Sequence, residues 1–283
     1  MVKKKTPAKR LRNFVFGLLS FFLSLSLFLL SMCTVLEASV FNKNLWLDSM
    51  HLSDYFTDKA EELKKDLTDL GYATGLNEDF FERVIDTLMI TTDTQDYIDN
   101  YFEGESDTID TTGFAQLFCD ELDKYIEETN AVVADDKSKD YLVKEAASIY
   151  RLNLEVPVIK RISVQFLAFK KYMPFILGGL ALISLILVLV MVFCNKWKHR
   201  AAKYLCYATS GAFLPTLTVA VFLTINGGLS KINLSSRAVY NMAVHFGNSI
   251  NIALWLCVLI FLLLSVGLYI WYRQQYIKVA ADD

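Results

Sequence analysis

Hydrophobic and polar positions along the chain fall into two patterns. Four stretches contain no Asp, Glu, Lys or Arg: residues 13–36, 172–195, 204–230 and 238–272. Their lengths of 24, 24, 27 and 35 residues each exceed the roughly 20 needed to cross a hydrocarbon core. In the last stretch the polar run from His245 to Asn251 moves the predicted crossing to 248–272, and Gly227-Gly228 ends the third at about 226. Everything between the first two stretches follows a different rule, with apolar residues spaced three and four apart and charges between them.

That second pattern covers residues 37–171, 135 residues in all, enough for one domain. Leu45, Leu47, Met50, Leu52, Tyr55, Phe56, Leu63, Leu67 and Leu70 read as helical, with Gly71 as the stop. Asn77 is the expected N-cap of a helix burying Phe80, Phe81, Val84, Ile85 and Leu88. The tetrad Thr92-Asp93-Thr94-Gln95 has the form of a capping box and predicts a new helix carrying Tyr97, Ile98, Tyr101 and Phe102, closed by Gly104. A polar loop follows over 105–113. Phe114, Leu117, Phe118, Leu122, Tyr125 and Ile126 then form the face of a helix over 114–129, and Tyr141, Leu142, Ala146, Ile149 and Leu152 that of a last one. Pro157 is expected to kink or interrupt the chain before the approach to the second span. No sustained strand alternation and no internal repeat appears. The fold class is therefore all-α, with four transmembrane helices and a helical domain inserted between spans 1 and 2.

Charge gives this arrangement an orientation. The whole chain is only −3, but residues 37–171 hold 29 acidic and 14 basic residues, and 78–140 alone hold 19 and four. The N-terminal tail 1–12 carries six Lys and Arg, and the short segment 196–203 carries four. Both are expected to be cytoplasmic, because such residues resist translocation when they flank a span. Both termini, including the tail 273–283, then lie inside the plasma membrane, with 37–171 and 227–247 outside. Tyr172, Trp197, Tyr204, Trp271 and Tyr272 fall at span ends, where amphipathic rings favour the interface. The first span is read as an uncleaved anchor, its apolar run being longer than the 7–15 residues of a signal peptide. Within 227–247, Ser235 or Ser236 caps a segment with Ala238, Val239, Met242, Ala243 and Phe246 on one face. It is either an interfacial helix or an N-terminal extension of span 4. Asn233-Leu234-Ser235 is a formal glycosylation sequon.

Composition excludes several classes of function. Hydrophobic residues make up 54% and mean hydropathy is +0.33, which rules out a disordered chain, a secreted disulfide scaffold and a soluble enzyme. The three His at 51, 199 and 245 and the five Cys lack metal-ligand spacing, and Cys119 alone lies outside the spans. Gly-x-Ser-x-Gly, Walker A and dinucleotide signatures are absent. The nearest approach to a calcium loop starts at Asp99, with Glu103 fifth, Gly104 sixth and Asp110 twelfth, but Tyr101 stands where the third ligand should be. Paired carboxylates such as Asp135 and Asp136 are too abundant to mark an acid and base. The spans carry no ionisable residue, which argues against an ion-coupled pathway. Their small residues, Ser20 and Ser24 in span 1 and Ser210 and Gly211 in span 3, permit close contact either within the bundle or with a lateral partner.

The order of one span, a large outside domain and three further spans is similar to that of FtsX-like permeases, in topology alone. That resemblance implies a subunit associated with an ABC transporter, although 196–203 is short for a coupling element. Residues Ser24-Leu25-Ser26-Leu27, 41–47, Gly75-Leu76-Asn77-Glu78-Asp79-Phe80-Phe81 and Val84-Ile85 resemble a loose group of bacterial four-span proteins with an extracytoplasmic helical domain. No catalytic, cofactor or metal residue comes with it. The expected role is non-enzymatic, an envelope scaffold or sensor-like subunit; a permease-like subunit and a membrane-embedded enzyme are the alternatives. The expected contacts are the lipid bilayer and a protein partner or ligand, with no nucleic acid and no cofactor. The candidate partner surface is Asp93, Asp96, Asp99, Glu103, Asp107 and Asp110.

Overall fold

The structure, a computed structural model, describes residues 7–72, 74–129, 136–195, 197–227, 231 and 234–281. Asn233 of the sequon, Asp135, Lys196, Gly228, the basic residues at 3–5 and the last two aspartates lie outside them. The described residues form helices throughout: α1 (Pro7–Ala38), α2 (Lys43–Leu52), α3 (Tyr55–Tyr72), α4 (Glu78–Val84), α5 (Thr87–Glu103), α6 (Thr112–Thr129), α7 (Asp136–Leu154), α8 (Pro157–Phe193), α9 (Lys198–Ile225) and α10 (Arg237–Ala281). Four of them are long and apolar enough to cross a membrane, over Leu11–Ala38, Gln165–Phe193, Lys198–Ile225 and Arg237–Lys278. The chain divides into two compact units, one of Met1–Phe41, Lys170–Lys231 and Gly247–Asp283, the other of Asn42–Phe169 and Ile232–Phe246.

The first unit is organised around the pairing of α1 with α9. Small and polar residues make the close approach. Ser24 faces Gly211, where a Cβ would come within 2.6 Å of the Ser24 hydroxyl. Ser20 donates to the carbonyl of Tyr204 at 2.8 Å, and Ser26 and Ser184 share a hydrogen bond of 2.9 Å. These are the contacts that hold helices together where lipid is as apolar as leucine. Toward one end Phe16, Leu23, Met191 and Ala208 pack together; toward the other, Val35, Ala220, Leu254 and Val258 do so. The small residues read from the sequence at 20, 24 and 211 thus serve helix packing within the chain. Gly178 and Gly179 have no neighbour within 4 Å of an added Cβ. The basic run after 196 is helical from Lys198 onward rather than a loop.

The second unit is an assembly of amphipathic helices closed by aromatic residues. Phe114 stacks on Tyr150 with ring centroids 4.1 Å apart, and Phe80 meets Phe118 edge-on at 5.3 Å. Such pairs are worth about 0.5–1.5 kcal/mol each beyond the area they bury. Asn77 caps α4 by accepting from the Phe80 amide at 3.0 Å, and Gly104 ends α5 in the left-handed conformation at φ 79°, both as the sequence predicts.

Several expectations need correcting. The periodic run over 45–70 is two helices, broken where Asp54 adopts φ 54°, a conformation Asp tolerates better than most residues. Thr92 is not an N-cap. Asp86 caps α5 six residues earlier by accepting from the Leu88 amide at 2.8 Å, and the Thr92 hydroxyl bonds back to the Leu88 carbonyl. Leu88 lies in that first turn and is exposed rather than buried. In α7 the inward face is Leu142, Ala146, Tyr150 and Leu154, while Tyr141 and Leu152 face solvent. Residues 237–247 belong to α10, so the extension of the span 4 helix holds and a separate interfacial helix does not.

Gly71 is a contact residue in the last turn of α3 rather than a stop: a Cβ there would lie 2.6 Å from Cζ of Phe81. Gly71→Ala should cost roughly 1–3 kcal/mol of stability, the usual range for overpacking, in thermal or chemical denaturation of the detergent-solubilised chain. Adding Phe81→Leu should recover part of that loss; strictly additive losses would show that the two positions do not meet.

Candidate functional site

Helix α5 and the loop after it carry the predicted acidic surface. Because Tyr97, Ile98 and Tyr101 turn inward, the acidic residues line the flanks and outer side of the helix. Asp93 is half-buried and accepts a hydrogen bond of 2.6 Å from the Tyr150 hydroxyl. Burial raises its carboxyl above the usual aspartate range; the Tyr150 bond opposes that rise, and the negative charges of Asp96 and Asp110 add to it. Those three residues therefore share one field. Asp110 also caps the start of α6 through the Thr112 amide and hydroxyl, at 2.9 and 2.6 Å, which holds its carboxyl below the ordinary value. Asp99 is drawn elsewhere, into an ion pair of 3.1 Å with Lys43 of α2. Asp107 acts on two tyrosines, Tyr97 and Tyr101. Burial, then the negative charge of Asp107, pushes the Tyr101 hydroxyl up to about 12. Glu103 is exposed at the end of α5. Since Asp99–Glu103 is helical and Asp110 is a cap, these residues do not form a calcium loop. Among the described residues no group of three or more His, Cys, Asp or Glu is disposed to hold a metal ion.

A second constellation is built by α3 and the start of α10, residues far apart in sequence. Glu62 receives three donors: Lys59 Nζ at 2.7 Å, Ser236 Oγ at 2.8 Å and the Ala238 amide at 3.2 Å. One turn earlier, Asp58 accepts from Asn241 Nδ2 at 2.9 Å and lies 3.6 Å from Arg237 Nε. Ser236 completes the cap by accepting from the Val239 amide at 3.2 Å. A helix start presents unpaired amides and a positive dipole end, so a carboxylate is the right chemistry there. Burial alone would raise the Glu62 carboxyl, but the bonds from Lys59, Ser236 and Ala238 outweigh it and hold the group below its ordinary value. Lys59 and Asp58 are 4% and 8% exposed, so the α3 base of this clasp is buried, while Glu62 and Ser236 are half-buried and Arg237 is exposed. Further along α10, the rings of Trp46 and Phe246 meet at a tilt of 55° with centroids 5.2 Å apart.

No protein-family model, curated protein or solved structure matches the chain.

Beside the clasp lies a groove of about 460 Å³ that also takes in the end of α7. Asn153 there donates to Asp66 at 2.8 Å, and the side chain of Glu155 is buried in its wall. Sequence reasoning missed both clasp and groove. Its one usable signal was Ser236 as a cap, without an acidic residue three positions on to complete a capping box; Glu62, 176 residues from the Ala238 amide, supplies that acid. The arrangement can fix a helix start and present charges of both signs to a small ligand.

The sign of the pH dependence follows from Glu62. Its folded value is lowered, so its contribution is present above the ordinary glutamate range and is lost as pH falls through that range toward the folded value. Glu62→Gln should lower the melting temperature near neutrality and shrink the drop seen on going from about pH 7 to about pH 4. An unchanged drop would show that Glu62 is not the acid-sensitive group.

Proposed function

We propose that this is a multi-pass plasma-membrane protein with cytoplasmic termini, whose unit of Asn42–Phe169 and Ile232–Phe246 lies outside and acts as a non-enzymatic scaffold or sensor-like subunit. The observation that carries the reading is the clasp. The domain commits two carboxylates, the buried Asp58 and the half-buried Glu62, and a helix cap to holding the first residues of α10, and α10 is one uninterrupted helix from Arg237 to Ala281. A partner or ligand that alters the clasp therefore acts on the residues that begin the fourth candidate span.

The basic segments at 1–12 and 196–203 support the orientation. The acidic field of Asp93, Asp96 and Asp110 supports a partner surface, because clustered like charge raises local potential and selects partners of opposite sign. A permease-like subunit remains the second reading, favoured by the order of one span, a large domain and three spans; co-purification of an ATPase would select it.

The test is a membrane-impermeant thiol crosslinker applied to intact cells carrying Cys119→Ser and Glu105→Cys. The expected result is a discrete adduct with one partner, lost when Asp93, Asp96 and Asp110 are all changed to Asn. Reaction only after permeabilisation would overturn the orientation, and reaction without a discrete adduct would overturn the partner surface.

A further inference from the structure

The groove beside the clasp has a wall of unusual composition. Two of its charged residues, Lys59 and Glu155, are only 4% and 7% exposed, so they are fixed parts of the interior rather than solvated surface groups. Lys59 is committed to Glu62. Asp66 takes one hydrogen bond, from Asn153, and as a carboxylate has further acceptor sites. Lys65, exposed one residue away on α3, forms no ion pair among the described residues. Leu152, 66% exposed, and Val239 supply apolar lining. A volume of about 460 Å³ falls within the range of small-molecule sites, which combine apolar walls with a few converging polar groups.

The mixture of signs narrows the ligand. A simple anion entering here meets Glu62, Asp66 and Glu155. A simple cation meets Lys59 and Lys65. A neutral apolar compound takes water from ionic groups and returns no hydrogen bond, which is costly. A molecule carrying both charges a few ångströms apart is opposed by none of these, since each charge finds a partner and neither is left facing its own sign. From this we infer that the groove binds a zwitterion of the α-amino acid or short-peptide class, its carboxylate on Lys65 and the Ser235 hydroxyl, its ammonium on Asp66, and its side chain against Leu152 and Val239. The inference rests on the reading of this unit as a ligand- or partner-contacting domain, and it gives that reading a ligand class. It also places the ligand next to Ser236, a residue of the clasp.

The test uses the full-length protein in nanodiscs, titrated calorimetrically with the proteinogenic α-amino acids and the glycyl dipeptides. At least one free zwitterion should bind saturably. Its N-acetyl and carboxamide derivatives should each bind about ten-fold more weakly or worse, the loss expected for one charge-assisted hydrogen bond. Lys65→Gln and Asp66→Asn should each reproduce that loss, with ligand-free melting temperatures close to wild type showing that both variants fold. Failure of every free zwitterion to bind wild-type protein overturns the inference, as does equal binding of the blocked derivatives. The crosslinked adduct is read separately. An intact adduct without groove binding overturns this inference alone, whereas saturable binding without an adduct keeps it and overturns the acidic partner surface.

Discussion

A carboxylate from α3 completes the start of α10, and the make-up of the second unit depends on that bond. Residues 232–246 return to a domain whose other segment ends at 169, and ordering a returning segment costs conformational entropy that local contacts must offset. The offset comes from directional bonds as well as burial. Glu62 fills the amide of Ala238 and the hydroxyl of Ser236, and Asp58 holds Asn241, while Ala238 and Met242 bury their side chains. Glu62, itself half-buried, pairs the buried Lys59, which matters because an unpaired buried ammonium would be far more costly than the pair. The neighbouring groove takes its ionic wall from the same residues, so what binds there and what holds α10 draw on one set of charges.

The acidic surface has a different character. Its residues are divided among structural tasks: Asp110 caps a helix, Asp99 ties α5 to α2, and Asp93 receives the Tyr150 hydroxyl. Two consequences follow. The net charge of the domain overstates how many carboxylates are free to meet a partner. The field that does remain is concentrated around Asp93 and Asp96, where burial of Asp93 makes its ionised form less favourable. Glu62 and Asp93 thus respond to acid in opposite directions, one losing a stabilising interaction and the other relieving a destabilising one.

What could be read from the chain alone was whatever is local. The four spans were legible because a run of more than about 20 apolar residues without a charge matches the thickness of a bilayer and is rare in a soluble core. The Asn77 cap and the Gly104 stop were legible because capping is settled within a few residues. Competition among local signals was less so: Thr92 with Gln95 and Asp86 both offer a helix start, and Ile90 and Thr94 pointing inward favour the longer helix. The face of α7 was misjudged by the choice of Tyr141 over Tyr150, two tyrosines whose difference is the Phe114 ring against the second. Gly71 looked like a stop because its contact, Phe81, lies on another helix. The clasp was beyond reach for the same reason on a larger scale, since nothing near Glu62 shows that Ser236 will need it.

The central claim is that Glu62 holds the start of α10 in the domain, and amide hydrogen exchange at Ala238 and Val239 tests it most directly. In the wild-type protein both amides should be protected, Ala238 through the Glu62 carboxylate and Val239 through Ser236. Glu62→Ala should strip protection from Ala238 and weaken it at Val239 while leaving the amides of α5 and α6 unchanged. Equal protection at Ala238 in the variant and the wild type would contradict the account.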